Sequence, residues 1–396
     1  MSSPAPVQQP APSRIASVDV YRGFVMFLMM AEVLHLKEVS KAYPDSEFWQ
    51  FLAFNQSHVA WRGCSLHDLI QPSFTFLVGV ALPFSIASRE ARGQAHWVSW
   101  LHTFWRAAVL IFLGIFLRSI GKPQTNYTFE DTLTQIGLGY VFLFALGHVP
   151  VKRLWFHLAF ILIGYWAVFA FVPPLETDFY KYKDGLSESD RPVGFAAHWD
   201  KNTNPAWKFD QWFLNQFPRQ KPFTHNSGGY ATMSFVPTLG TMILGLIAGN
   251  WLRSPISPVS KIRRFLWLGV ALVFIGLVLD ATGICPSVKR IWTPSWVLLS
   301  GGCCFILLAI FSALLDAGLP GGWAFPLKVI GANSIAAYVG SHLIEGFILD
   351  SFSTHFGKDA FNFAERYKPL VRGFAVLAIY WLILFWMYRR KVFIKI

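Results

Sequence analysis

The sequence predicts an all-α fold: a polytopic membrane protein with about ten transmembrane helices. Three observations point there. Of 396 residues, 54% are hydrophobic and only 14% are charged. The mean hydropathy is +0.41. The apolar residues also fall in a series of runs, several approaching the roughly 20 residues that a bilayer core requires. A soluble chain of this length would still have to present a polar exterior.

Residues 1–13, MSSPAPVQQPAPS, are proline-rich and lack the basic-then-apolar order of a cleaved signal peptide, so a disordered lead is expected. Residues 14–396 are expected to form one transmembrane domain. Candidate spans lie near 20–36, 68–88, 104–120, 131–148, 153–172, 232–251, 263–280, 293–315, 326–350 and 371–388. An even number of spans places both termini on one side. The excess of Lys and Arg, including Arg14, Arg22, Arg89, Arg92, Arg106, Arg263 and Arg264, assigns that side to the cytoplasm of a cell (inner) membrane protein. The outer segments carry a smaller basic set that includes Lys37, Arg62, Arg118 and Lys289.

Two larger segments then lie outside, near 37–66 and 173–230. The second contains 195-FAAHWDKNTNPAWKFDQWFLNQFPRQKPF-223, where aromatic rings stand beside amides and carboxylates. That mixture suits sugar rings, which offer both C–H faces and hydroxyls; an interfacial aromatic belt is the plainer alternative. The net charge of +12 is spread between spans, where orientation and lipid headgroups account for it, and forms no stripe for nucleic acid. Cys303 and Cys304 fall inside an apolar run, whereas Cys64 and Cys285 fall on one predicted side, leaving a disulfide open. There is no evident internal repeat, so an inverted-repeat transporter architecture has no support.

Polar groups inside spans are costly and mark candidate sites. Glu32 and His35 are spaced to share a helical face, as are Asp68 and Gln71, and His342 and Glu345. Gln135 and Asn333 lie within further spans, where bridging between helices is the simpler role. Asp68 also suits a helix cap. His58, in 58-HVAWRGCSLHDLIQPSFTFLVG-79, precedes Asp68 by ten residues, and the connection can fold it back over that carboxylate. An imidazole so placed exchanges a proton near neutral pH, or is itself acylated, while the carboxylate sets its tautomer. No HExxH, paired CxxC or phosphate-binding GxxxxGK[ST] is present, and no metal is expected.

The opening 14-RIASVDVYRGFVMFLMM-30 resembles the R-x-x-S-x-D-x-x-R-G signature of the heparan-α-glucosaminide N-acetyltransferase family and its bacterial relatives. The stretch from His58 resembles that family's H-x-x-W-x-G…DL-x-x-P-x-F block. Further similarities are 133-LTQIGLGYVF-142, 238-TLGTMILGLIAG-249, 292-WTPSWVLLSGG-302 and 331-GANSIAAYV-339, in the family's order.

The resemblance implies a membrane acyltransferase that passes an acetyl group from cytosolic acetyl-CoA to an extracytoplasmic amino sugar or other carbohydrate. It implies His58 as the active-site histidine and Asp68 as its aspartate. Arg14, Asp19, Arg22, Arg106, Gln135 and Asn333 are then candidates for binding acetyl-CoA, and Glu32, Trp61, His198 and Asp210 for the acceptor. Some members carry an asparagine at the outer end of the first span, where 31-AEVLHL-36 has none, and an arginine where Ile136 stands. A homodimer is one assembly open to such a chain. The alternative from another class is a transporter for a sugar or organic anion, with the same ionisable groups as a proton relay.

Overall fold

The computed structural model describes residues 15–174, 192–317 and 321–394. The proline-rich lead, Arg14, and residues 175–191 of the second large polar segment lie outside them. Every regular element among the described residues is helical, and one isolated antiparallel bridge joins Arg62 to Val288. Helix α1 (Ala16–Met30) continues into a 3₁₀ turn (Ala31–Leu34), followed by two short helices, α2 (Leu36–Ala42) and α3 (Glu47–Asn55). Then come α4 (Ile70–Ala91), α5 (His96–Ser119), α6 (Thr132–Leu146), α7 (Val151–Phe171), the short α8 (Pro205–Phe213), α9 (Phe235–Arg253), α10 (Pro258–Ala281) and α11 (Pro294–Leu315). The chain closes with α12 (Phe325–Ala332), α13 (Ser334–Leu343), α14 (Glu345–Phe356) and α15 (Lys368–Arg389).

Seven helices among the described residues are long and apolar enough to cross a membrane: α4, with the turn that leads it, and α5, α7, α9, α10, α11 and α15. The expected count of about ten is not reproduced by this measure, because three of the expected spans are short or broken. Helices α1 and α6 have 15 residues each, about 22 Å of helix against a core of about 30 Å.

The third case is the ninth apolar segment, expected as one span over 326–350. It breaks at Asn333, whose backbone leaves the helical region (φ −129°, ψ 44°), and again at Ile344. Asn333 is fully buried, and its side chain replaces helical bonds with contacts to the strap after α15. Nδ2 donates to Val392 O at 3.0 Å, and Oδ1 accepts from Ile394 N at 3.1 Å. A short amide that competes with the backbone for partners favours such a break.

Burial sorts the long helices into two shells. The apolar stretch of α9 is 83% buried, with α4 and α11 beside it, whereas that of α10 is 22% buried. Helices α5, α7, α10 and α15 turn Phe112, Phe160, Trp267 and Trp386 outward, each more than half exposed. Lipid is the solvent that suits such a surface. Without a hydrophobic drive between helices in lipid, close approach rests on small residues. At the α4–α9 contact a Cβ on Gly245 would collide with the Phe76 carbonyl, and one on Gly249 with the Val80 carbonyl. Gly245→Val should therefore overpack this seam and lower stability by about 1–3 kcal/mol. The melting temperature in detergent should fall, whereas Gly164→Ala, which meets open space, should leave it unchanged.

Candidate active site

A cavity of about 520 Å³ opens at the end of the bundle where α4 and α11 begin and α5 ends. Its walls include His58, His67 and Lys289, together with Arg118, Glu130 and Asp131, and Asn226 to Gly228 with Tyr230 along the rim. Met29, Glu32, Ile70, Gln71, Thr132, Tyr338 and His342 complete the lining. It is recessed. Ser73, three residues into α4, touches Cys304 at 3.6 Å, and Cys304 lies ten residues, or about 15 Å, along α11. The start of α4 therefore sits well below the start of α11.

At the centre is Asp68, 1% exposed, in the 3₁₀ turn that leads α4. Its Oδ1 accepts from His58 Nδ1 at 2.8 Å and from Lys289 Nζ at 3.2 Å. Its Oδ2 accepts from the backbone N–H groups of Val59 and Ser65, both at 3.2 Å, with Ser65 Oγ at 2.9 Å. The loop from Ser57 to Leu66 is thus wrapped around one carboxylate.

A carboxylate only accepts, so His58 Nδ1 carries the proton of that bond and Nε2 is left with a free lone pair. Burial holds the His58 imidazole below its ordinary value of 6.5. The hydrogen bond to Asp68 pulls it back up, and the Lys289 and Arg290 charges push it down again. The His58 side chain is 40% exposed, so it meets both the carboxylate and the cavity. The His67 ring lies 4.5 Å from the His58 ring, centroid to centroid, and its Nε2 is 3.3 Å from Glu32 Oε1.

Lys289 arrives on the connection between α10 and α11, which is stitched to the His58 loop. Arg62 Nε donates to Asp280 Oδ1 at 2.7 Å, and Gly63 N to Ser287 O at 3.1 Å. Arg290 reaches Gly228 O at 2.6 Å and Val59 O at 3.2 Å, and so also ties the rim segment down. Burial raises the carboxyls of Glu130 and Asp131, which line the same cavity. Burial pushes the thiols of Cys64 and Cys285 up to about 12 and about 11, so neither is a thiolate nucleophile at neutral pH. All four cysteines are free, and the Cys64–Cys285 disulfide left open by the sequence does not form.

The residues singled out from the sequence divide. Glu32 and Gln71 line the same cavity as His58 and Asp68's partners. Glu32 and His35 do not pair, because the helix ends at Met30 and His35 turns left-handed (φ 48°). His35 instead lies 3.7 Å from Glu345. His342 and Glu345 are likewise separated by the break at Ile344.

Trp61 stands behind the rim, its Nε1 donating to Trp199 O at 3.3 Å. His198 donates from Nδ1 to Phe169 O and Val172 O, closing the end of α7. Asp19 and Arg22 pair along α1 at 3.7 Å. Arg106 bonds Tyr140 Oη at 2.9 Å and lies over its ring. Gln135 donates to Phe129 O and Thr232 O, and Asn333 holds the strap after α15. Sequence reasoning missed Lys289, Arg118 and the 226–230 rim as parts of the site. In the sequence the two cations read as orientation charges, and no spacing joins them to His58.

Two curated proteins resemble the chain along almost its whole length. Human heparan-alpha-glucosaminide N-acetyltransferase is 24% identical over an alignment covering 97% of this chain and 60% of the human protein. The mouse protein of the same name is 23% identical, covering 97% of this chain and 61% of its own length. The chain is a distant relative of these proteins and spans about 60% of their length. No protein-family model matches it.

Asp210, expected at the acceptor, is instead buried on α8 with Oδ2 accepting from Thr232 N at 2.9 Å and Oδ1 without a partner. Burial raises its carboxyl from 3.8 to about 7. A raised carboxyl favours the folded state most at low pH, and that advantage is lost as pH climbs from 3.8 through about 7. Asp210→Asn should match the wild type in melting temperature near pH 4 and exceed it at pH 8, by about 1–4 kcal/mol in stability. Equal pH dependence in the two proteins would show that Asp210 is not the buried acid.

Proposed function

We propose that the chain is a membrane acyltransferase that transfers an acetyl group from acetyl-CoA to an amine or hydroxyl of a carbohydrate entering the His58 cavity. The observation that carries the reading is the His58 Nδ1–Asp68 Oδ1 bond of 2.8 Å, which commits one ring nitrogen and leaves the other facing a polar cavity. The resemblance to the two N-acetyltransferases supports it independently. With α1, α6 and the broken ninth segment counted as crossings beside the seven long helices, the positive-inside rule supports cytoplasmic termini and an extracytoplasmic cavity.

Acetyl-CoA would supply the activated acyl carbonyl. The chain's part begins at the opposite end of the bundle, where a second cavity of about 560 Å³ lies between the starts of α1 and α10 and the ends of α9 and α11. Arg253 lines it and suits phosphate oxygens, beside Asp316 and a Lys261 that donates to Leu252 O at 2.6 Å; Arg22 and Arg106 are held by Asp19 and Tyr140. Between the cavities, Tyr21 Oη donates to Ser73 Oγ at 2.9 Å and its ring stacks on Phe311. Passage of a thioester arm requires α1 and α4 to part there.

At the outer cavity His58 Nε2 takes the proton of the acceptor as the acceptor attacks the thioester carbonyl; the C–S bond breaks and the proton passes to the departing CoA sulfur. By the other route Nε2 itself displaces CoA first, and the acceptor then takes the acyl group from the ring. Asp68 holds the ring in the tautomer that makes either step available. The side chains of Glu32, Glu130 and Asn226 face the space that the acceptor would fill. The rival reading, a transporter, draws on the broken segment at Asn333, since unwound helices line many transport sites. It predicts substrate flux into vesicles with no CoA released.

Purified wild type with acetyl-CoA and glucosamine oligomers should release CoA with acetylated sugar as the product. His58→Ala should lower kcat by about 10²–10⁴-fold with the fold intact. Because burial holds His58 below 6.5, the acid limb of the rate profile should have its midpoint below that pH, the rate rising as the imidazole loses its proton. Undiminished transfer by His58→Ala would overturn the assignment.

A further inference from the structure

Lys289 is 5% exposed and reaches the centre of the site from a loop 221 residues away from Asp68 in the sequence. It lies 3.2 Å from Asp68 Oδ1 and 3.2 Å from His58 Nδ1. These two contacts are not alike. With Nδ1 donating to the carboxylate, Nδ1 has no lone pair for an ammonium, so the bond Lys289 makes is the one to Asp68. Its nearness to the ring is then a cation set against an N–H.

We propose that Lys289 is a positioning residue for His58. By sharing Asp68 Oδ1 it keeps the carboxylate locked on Nδ1, and by its own charge it keeps the ring neutral, with Nε2 presented as a base. The inference rests on the reading of His58 as the group that handles the acceptor's proton.

The arrangement differs physically from a histidine paired with a carboxylate alone. There, the negative charge stabilises the imidazolium. Here the Asp68 charge is already matched by a buried ammonium, so a second proton on the ring would leave the cluster with a net positive charge in a poorly solvated place. Of the neighbouring groups on these segments, His67 stands beside the His58 ring, and Arg290 adds to the positive charge of Lys289, since its bonds to Gly228 O and Val59 O are to neutral carbonyls. In the same lining, the Arg118 charge acts on Glu130 and Asp131, while Glu32 is engaged by His67. A neutral ring suits an acyl acceptor's proton, because an imidazolium has no lone pair to take it.

The test reads the ring directly. Of the two forms of imidazole, diethyl pyrocarbonate modifies only the neutral one, and peptide mass spectrometry resolves His58 from His67 and from other acylated side chains. The rate of His58 modification against pH, on the full chain in detergent, therefore gives the ring's midpoint whether or not the protein transfers acetyl groups. The wild-type midpoint should lie below the ordinary value of about 6.5. In Lys289→Met it should rise by about one pH unit or more, and in Lys289→Arg it should stay within about half a unit of wild type. A wild-type midpoint at or above 6.5 overturns the proposal, even if Lys289→Met does not fold. So does an unshifted midpoint in folded Lys289→Met, the result expected if the lysine only fills space. Absence of acetyl transfer alongside the expected midpoints would count against the function proposed above and leave the role of Lys289 standing.

Discussion

A carboxylate taken out of water at the head of an apolar helix has to be matched, and much of this end of the molecule is arranged to match Asp68. Its two oxygens are met by an imidazole, an ammonium, a hydroxyl and two backbone N–H groups. Leaving such a charge without partners would cost several kcal/mol. The turn before α4, the loop from Ser57 to Leu66 that runs into it, and the connection into α11 are drawn in to prevent it. The bridge between Arg62 and Val288 and the Arg62–Asp280 pair hold the last two together. Site chemistry and loop structure are here the same set of bonds.

The two-shell bundle gives that cluster its surroundings. Because α4, α9 and α11 are inner helices, the start of α4 is enclosed by protein, and polar groups there face a cavity instead of lipid. Glycines at the α4–α9 seam let backbones touch and leave little freedom for α4 to slide. The outer helices, covered in Phe and Trp, bear the contact with lipid and contribute little to the cavity, apart from Arg118 at the end of α5. The ninth segment contributes through the helix that follows the break at Asn333, which supplies Tyr338 and His342 to the lining.

The physical limits of sequence reading show in particular residues. Helical spacing pairs Glu32 with His35 only if the helix continues, and the left-handed turn at His35 removes that condition. Asp210 and His198, placed by composition in a sugar-binding surface, are occupied instead with the backbone of Thr232 and with the end of α7. Polar residues in a membrane protein are often consumed by helix ends and connections, and a sequence does not distinguish those from residues facing a cavity.

The sequence by itself determined the class of molecule, the order of its apolar segments and the strongest local pair. Hydropathy is a sum over neighbours in the chain, and His58 and Asp68 are only ten residues apart with a short loop to join them. Only the tertiary structure decided which helices lie inside, where the ninth segment breaks, and that Lys289 stands beside a carboxylate 221 residues away. Those outcomes depend on contacts between distant segments, in which one buried charge recruits another of opposite sign. No periodicity along the chain encodes that choice of partner.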